Sequence, residues 1–209
     1  MVKSEPAKKV DQIQSQAHEI LKGLGYRKRG RTFNRILDSG LVHVINFQMG
    51  QSFQALYGWF TVNLGVFIPE VHTTITGQDT PKFIQEYDCE IRQRLGCLMT
   101  PSGEDVWWDL TLDTEELSAA ILDALTEHGL PYLGRFLTRD DIIQEWREHD
   151  QFVGSLLHTG LSIAIVLAGQ GQVDQAKHLL QQEYEHARNK HCSALVEDVA
   201  ERIGTKVSG

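Results

Sequence analysis

Four carboxamide residues, Asn34, Asn46, Gln48 and Asn63, stand in stretches that read as β-strands. Three of them are asparagine, which strands disfavour, so their presence asks for a reason. A carboxamide both donates and accepts hydrogen bonds, which suits recognition of a peptide edge or a neutral polar ligand. With the strands paired as consecutive hairpins, Asn46, Gln48 and Asn63 fall on one patch. The plainer use of the same residues is a solvated sheet face or bonds to neighbouring backbone. A second candidate is the basic run Arg27-Lys-Arg-Gly-Arg31, with Tyr26 and Phe33 beside it. It offers Arg27, Lys28, Arg29 and Arg31 as an anion site, although cations after a helix also stabilise its dipole with no ligand present.

Other chemistry is weakly signalled. Among the nine histidines, Glu183 and His186 stand at i, i+3, and Glu145 and His149 at i, i+4. A zinc or di-iron site needs three or four converging ligands, and no second matching pair is evident, so no metal is expected. His43, within a strand, reads as a packed or surface histidine. Cys89 lies between Asp88 and Glu90, whose charges raise a thiol pKa, the wrong direction for a nucleophile. No P-loop, G-x-G-x-x-G or G-x-S-x-G is present, so no cofactor and no catalytic residue is assigned.

The bulk properties narrow the class. The chain has 209 residues, 41% hydrophobic and 23% charged, as expected of a folded core with an appendage. Three cysteines without C-x-x-C spacing fit a reducing compartment. The N-terminal MVKSEPAKKV carries no apolar stretch behind its charges, and the longest apolar run, residues 161–168, is about half a membrane span. A soluble, cytoplasmic protein without a membrane partner is the expectation. Residues 1–36 carry a net +6 within a total of −8, leaving −14 for the rest. That acidic body repels polyanions and counts against nucleic acid as the main partner.

The elements that must position these residues follow from periodicity. Val10, Ile13, Ala17, Ile20 and Leu21 predict an amphipathic helix over 8–22. Strands are predicted over 32–37, 41–49 and 59–68, the first two joined by a tight turn at Asp38-Ser-Gly40 and the last ended by Pro69. Phe60, Val62, Leu64, Val66 and Ile68 alternate and must be covered, whereas Thr61 and Asn63 face a wet or lined surface. Phe83, Ile84, Tyr87, Ile91 and Leu95 predict a helix over 81–95. A short fourth strand is expected at 106–110 and a helix from Asp113 or Thr114 to His128, ended by Gly129 and Pro131. Beyond Leu137, helices are expected over 139–149, 151–168, 172–189 and 191–203. Residues 161–180 look like a tetratricopeptide-type pair, but one pair makes a helical hairpin rather than a solenoid. The reading is α+β: an antiparallel sheet of about four strands packed with helices over 1–137, then an all-helical extension over 138–209.

Several ordered motifs carry a family likeness: residues 21–36 (LKGLGYRKRGRTFNRI), 44–52 (VINFQMGQS), 60–67 (FTVNLGVF) and Trp107-Trp-Asp-Leu110. Over roughly residues 10–135 the chain resembles the bacterial domain-of-unknown-function family 4304. The resemblance implies an α+β fold and defines no catalytic residues. Small-domain families of similar look include immunity proteins that bind and block a toxin, an analogy of class only. The leading functional expectation is a non-enzymatic module that binds a protein or a small polar ligand. The alternative is a hydrolase or transferase whose residues, His43 or Asp109 among them, meet only in the fold. The helical tail adds a second surface or a homodimer contact.

Overall fold

The structure, a computed structural model, describes residues 3–50, 58–148, 159–188 and 193–207. The chain divides into two units, one of residues 1–67 and 82–137 and the other of residues 68–81 and 138–209.

In the first unit, helix α1 (Glu5–Gly23) buries Val10, Ile13, Gln14, Ala17 and Leu21 along one stripe. Their three- and four-residue spacing is that of a single helix face. The strands are β1 (Arg27–Arg29), β2 (Thr32–Ile36), β3 (Val42–Met49), β4 (Trp59–Phe67), β5 (Ile91–Arg94) and β6 (Trp108–Asp109). All pairings are antiparallel, in the order β1-β2-β3-β4-β5, and β6 pairs with the first two residues of β4. Gly30, at φ 60°, makes the β1–β2 turn without the cost that a side chain would incur there.

The sheet buries both faces of its central strands. On one face Phe33, Ile45, Phe47, Phe60, Val62, Leu64 and Val66 are all at or below 1% exposure. This face packs against α1 and a helical run made of α4 (Thr114–Ala124), a five-residue π turn (Leu125–Gly129) and α5 (Leu130–Leu133). Asp113 caps α4 by accepting from the N–H groups of Glu115 and Glu116. The opposite face, expected to be wet or to line something, is closed along β4, where Thr61 is 0% and Asn63 3% exposed.

Three expectations change. Residues 81–95 are not a helix: they form a 3₁₀ turn at Glu86–Asp88, then β5, then the short helix α3 (Leu95–Leu98). Pairing of Ile91 with Val66 and of Arg94 with Asn63 supplies long-range bonds that outweigh a weak local helical pattern. Gly129 and Pro131 do not end their helix. Pro131 sits in the first turn of α5, directly after the π turn that shifts the hydrogen-bond register of the run. The sheet has six strands rather than about four, because the basic run forms edge strand β1 and 91–94 forms β5.

The second unit is helical. Its elements are α2 (Pro69–Thr76), α6 (Arg139–Glu148), α7 (Thr159–Gly169), α8 (Val173–Arg188) and α9 (Ser193–Arg202). α7 is buried along Leu161–Leu167, with α2, α6, α8 and α9 packed on it. Arg139 holds α2 through both carboxylate oxygens of Glu70, at 2.8 and 2.9 Å. Arg202 donates to the Thr74 carbonyl at 2.8 Å. Thr138 and Asp141 cap α6 reciprocally. Of the helix expected over 151–168, residues 151–158 lie outside the described residues, as do His149 and Cys192.

Candidate functional site

Strand register lays Arg29, Thr32, Asn46, Asn63 and Arg94 side by side across five strands. At ~4.8 Å per strand the row is ~19 Å long. Arg27, Asn34, Val44, Gly65 and Arg92 form the next row, and Gln48 pairs with Thr61 on the far side of the first. All belong to one face, because successive residues of a strand point to opposite sides.

The rows differ in use. Val42, Val44, Phe67, Ile84 and Cys89 make an apolar cluster that closes one half of the face. Gly65 permits it, since a Cβ there would lie 2.6 Å from Cys89 Sγ. Asn34 donates to the Ile84 carbonyl at 2.9 Å and accepts from the Ile84 N–H at 2.7 Å, so it anchors this segment. Among the described residues, no hydrogen bond joins it to the other three carboxamides.

The other half is polar. Asn63 Nδ2 donates to Gln48 Oε1 at 2.7 Å and to Asn46 Oδ1 at 3.4 Å. Asn46 Nδ2 donates to Thr32 Oγ1 at 2.9 Å, and Thr32 reaches Gln85 Oε1 at 3.3 Å. Gln48 is exposed and Asn46 half-buried, so the network opens to solvent at one end. Thr61, opposite Gln48, is fully buried, and its hydroxyl has no hydrogen-bond partner among the described residues. Buried hydroxyls almost always find one, so this atom marks an incomplete network. At the β5 end, Asp105 accepts from both Arg94 and the Trp107 indole N–H, the latter at 2.8 Å. The Arg94 guanidinium lies 5.2 Å from the Trp107 ring centroid.

The structure thus brings together Asn46, Gln48 and Asn63 and sets Asn34 apart. Thr32, Arg94, Asp105 and Trp107 join the site although the sequence did not single them out. Arg94 was hidden by the helical pattern of its segment. Trp107 carried a signal, as one of two adjacent tryptophans shortly after Glu104 and Asp105.

The basic run is divided by strand alternation. Arg27 and Arg29 are exposed on the polar face, and Lys28 lies 5.9 Å from the centroid of the Phe33 ring on the other. Arg31 is tied to Asp11 at 3.0 and 3.1 Å and to the Ala7 carbonyl at 3.2 Å, which joins the β1–β2 turn to α1.

The titratable candidates do not converge. Asp109 lies at the polar face, with one oxygen accepting from the Thr111 N–H. His43 is on the opposite face, buried, with Nε2 2.8 Å from the Phe136 carbonyl oxygen. Burial lowers its pKa, the Phe136 bond opposes that shift, and the Arg35 charge adds to it. Burial raises the Cys89 thiol well above its ordinary value, with Glu90, Glu86 and Asp88 adding to the effect. Burial, followed by Asp105, raises Cys97. Among the described residues, no three His, Cys, Asp or Glu side chains gather as a metal site, and no helix is long and apolar enough to cross a membrane.

A consequence for pH follows from His43. Its folded-state pKa lies below the ordinary 6.5, so the unfolded chain binds the extra proton first as pH falls. The histidine therefore leaves stability intact above 6.5 and erodes it as pH drops from there towards the folded value. Thermal midpoints of the wild type and His43→Gln across this window should show a steeper acid-side decline in the wild type. Parallel profiles would remove His43 as the cause.

The open meander with helices on one side and a hydrogen-bonded polar row on the other defines an α+β domain. The chain belongs to the family described as Domain of unknown function (DUF4304), whose model matches residues 17–135. No curated protein and no solved structure gave a match to the chain.

Proposed function

We propose that the chain is a non-catalytic binding module and that the polar half of the sheet face takes its partner, a protein or a small polar ligand. The observation that carries this reading is the row Thr32–Asn46–Asn63–Gln48, bonded side chain to side chain and exposed at Gln48. A pre-ordered set of uncharged donors and acceptors loses little freedom on binding. An enzyme is less well supported, because His43 and Asp109 lie on opposite faces.

Paired variants test this. Gln48→Ala should change stability by less than about 1 kcal/mol, since the side chain is exposed. It should nevertheless weaken capture of a partner from lysate. Asn63→Ala removes a buried donor to two neighbours and should cost about 1–3 kcal/mol in denaturant titration. Unchanged capture by a folded Gln48→Ala chain would take the polar face out of consideration.

A further inference from the structure

We infer that the ligand of the polar face is an uncharged saccharide, seated against Trp107 and hydrogen-bonded by the carboxamides. This rests on the polar face being the binding surface and adds the chemical class of what it binds.

The first observation is Trp107. A core tryptophan would be buried, yet this one is only half-buried, against Arg94, whose strand partner is Asn63. Its orientation is fixed twice, by the indole N–H donating to Asp105 and by the Arg94 guanidinium over one face of the ring. Trp59, also half-buried, shares the β4 face with Thr61 and Asn63, and its pairing partner Asp109 lies there too. Half-buried indoles next to fixed amides give one face both an apolar plate and a rim of donors and acceptors.

The second observation is the unsatisfied hydrogen-bonding capacity. Among the described residues, Thr61 Oγ1 is buried without a partner. Gln48 Nε2 and Asn63 Oδ1 have no partner among the described residues. The site therefore offers an exposed donor at Gln48, backed within one strand pairing by the buried Asn63 acceptor and Thr61 hydroxyl, where opposite side chains stand about 5 Å apart.

A sugar ring matches both features. Its C–H face lies flat on an aromatic ring, and each hydroxyl donates once and accepts twice, as carboxamides and carboxylates require. Other ligands fit less well. An extended peptide adds to a sheet edge through backbone bonds, whereas this surface offers side chains on a face. A nucleotide fits less well because the arginines nearest Trp107 are already paired, Arg94 with Asp105 and Arg92 with Glu86, while Arg27 and Arg29 stand at the opposite edge of the sheet.

The test is a titration of the ¹⁵N-labelled full chain with glucose, galactose, N-acetylglucosamine, maltose, cellobiose and lactose. The side-chain amide signals of Asn46, Gln48 and Asn63 and the Trp107 indole N–H signal would be followed. At least one sugar should give saturable shifts, weakened roughly tenfold or more in Trp107→Ala. Should that variant fail to fold, Gln48→Ala, on an exposed side chain, carries the same expectation. No saturable shift with any sugar, or equal affinity in the folded variants, overturns the saccharide. If no sugar binds while Gln48→Ala still loses protein capture, the polar face stands as a binding surface and only the ligand class falls.

Discussion

Leu64→Ala should destabilise the protein by about 2–5 kcal/mol, the range for deleting a fully buried leucine side chain. Leu64 is 0% exposed and pairs across the sheet with Ile45. It also lies under the π turn: a Cβ built on Gly129 would sit 3.6 Å from Leu64 Cδ1 and 3.1 Å from Leu95 Cδ1. Helix and sheet are already in close contact there, so the backbone has little room to collapse into the void. The loss should appear as a lower midpoint in urea at an unchanged slope. A midpoint within error of the wild type would mean that this face of β4 is not the core.

Ending the chain after Leu137 should separate the two units with unequal consequences. The first unit keeps its sheet, α1, α4 and α5, so the strand signal in circular dichroism should persist. Residues 68–81 lose what holds them, since α2 packs on α7 and α9 and its Glu70 is clamped by Arg139. Limited proteolysis should then cut within 68–81 while sparing the full-length chain. The converse piece, 138–209 alone, lacks α2 and should melt non-cooperatively. Loss of all cooperative unfolding in the chain ending at Leu137 would show that the units share one core.

The strands with strong alternation were legible in advance. Phe60, Val62, Leu64 and Val66 declare their facing by period alone, and the stripe of α1 does the same at helical spacing. What could not be read was set by distant partners. Ile91 looks helical beside Tyr87 and Leu95, yet Tyr87 is 72% exposed and Ile91 is buried against β4. Ile84 is held by a side chain fifty residues earlier, which no local window contains. The site was half visible for the same reason. Asn46, Gln48 and Asn63 sit on adjacent hairpin strands, so their meeting follows from simple pairing. Arg94, Asp105 and Trp107 arrive through β5 and the segment after it, whose path depended on the strand that was misread.

The arginine-bearing ends of the meander bear on how the molecule lives among its own copies. A sheet whose outer strands show free N–H and C=O groups is a template on which another chain can polymerise. Here β1 is three residues long and reads Arg-Lys-Arg, all exposed, and β5 exposes Arg92 and Arg94. Two copies approaching through β1 would bring guanidinium against guanidinium, and at β5 the pairs Arg92–Glu86 and Arg94–Asp105 would have to lose water before a single ladder bond formed. The same arginines that frame the polar face thus guard the sheet against runaway association, and they do so by strand placement that the acidic net charge of the chain conceals.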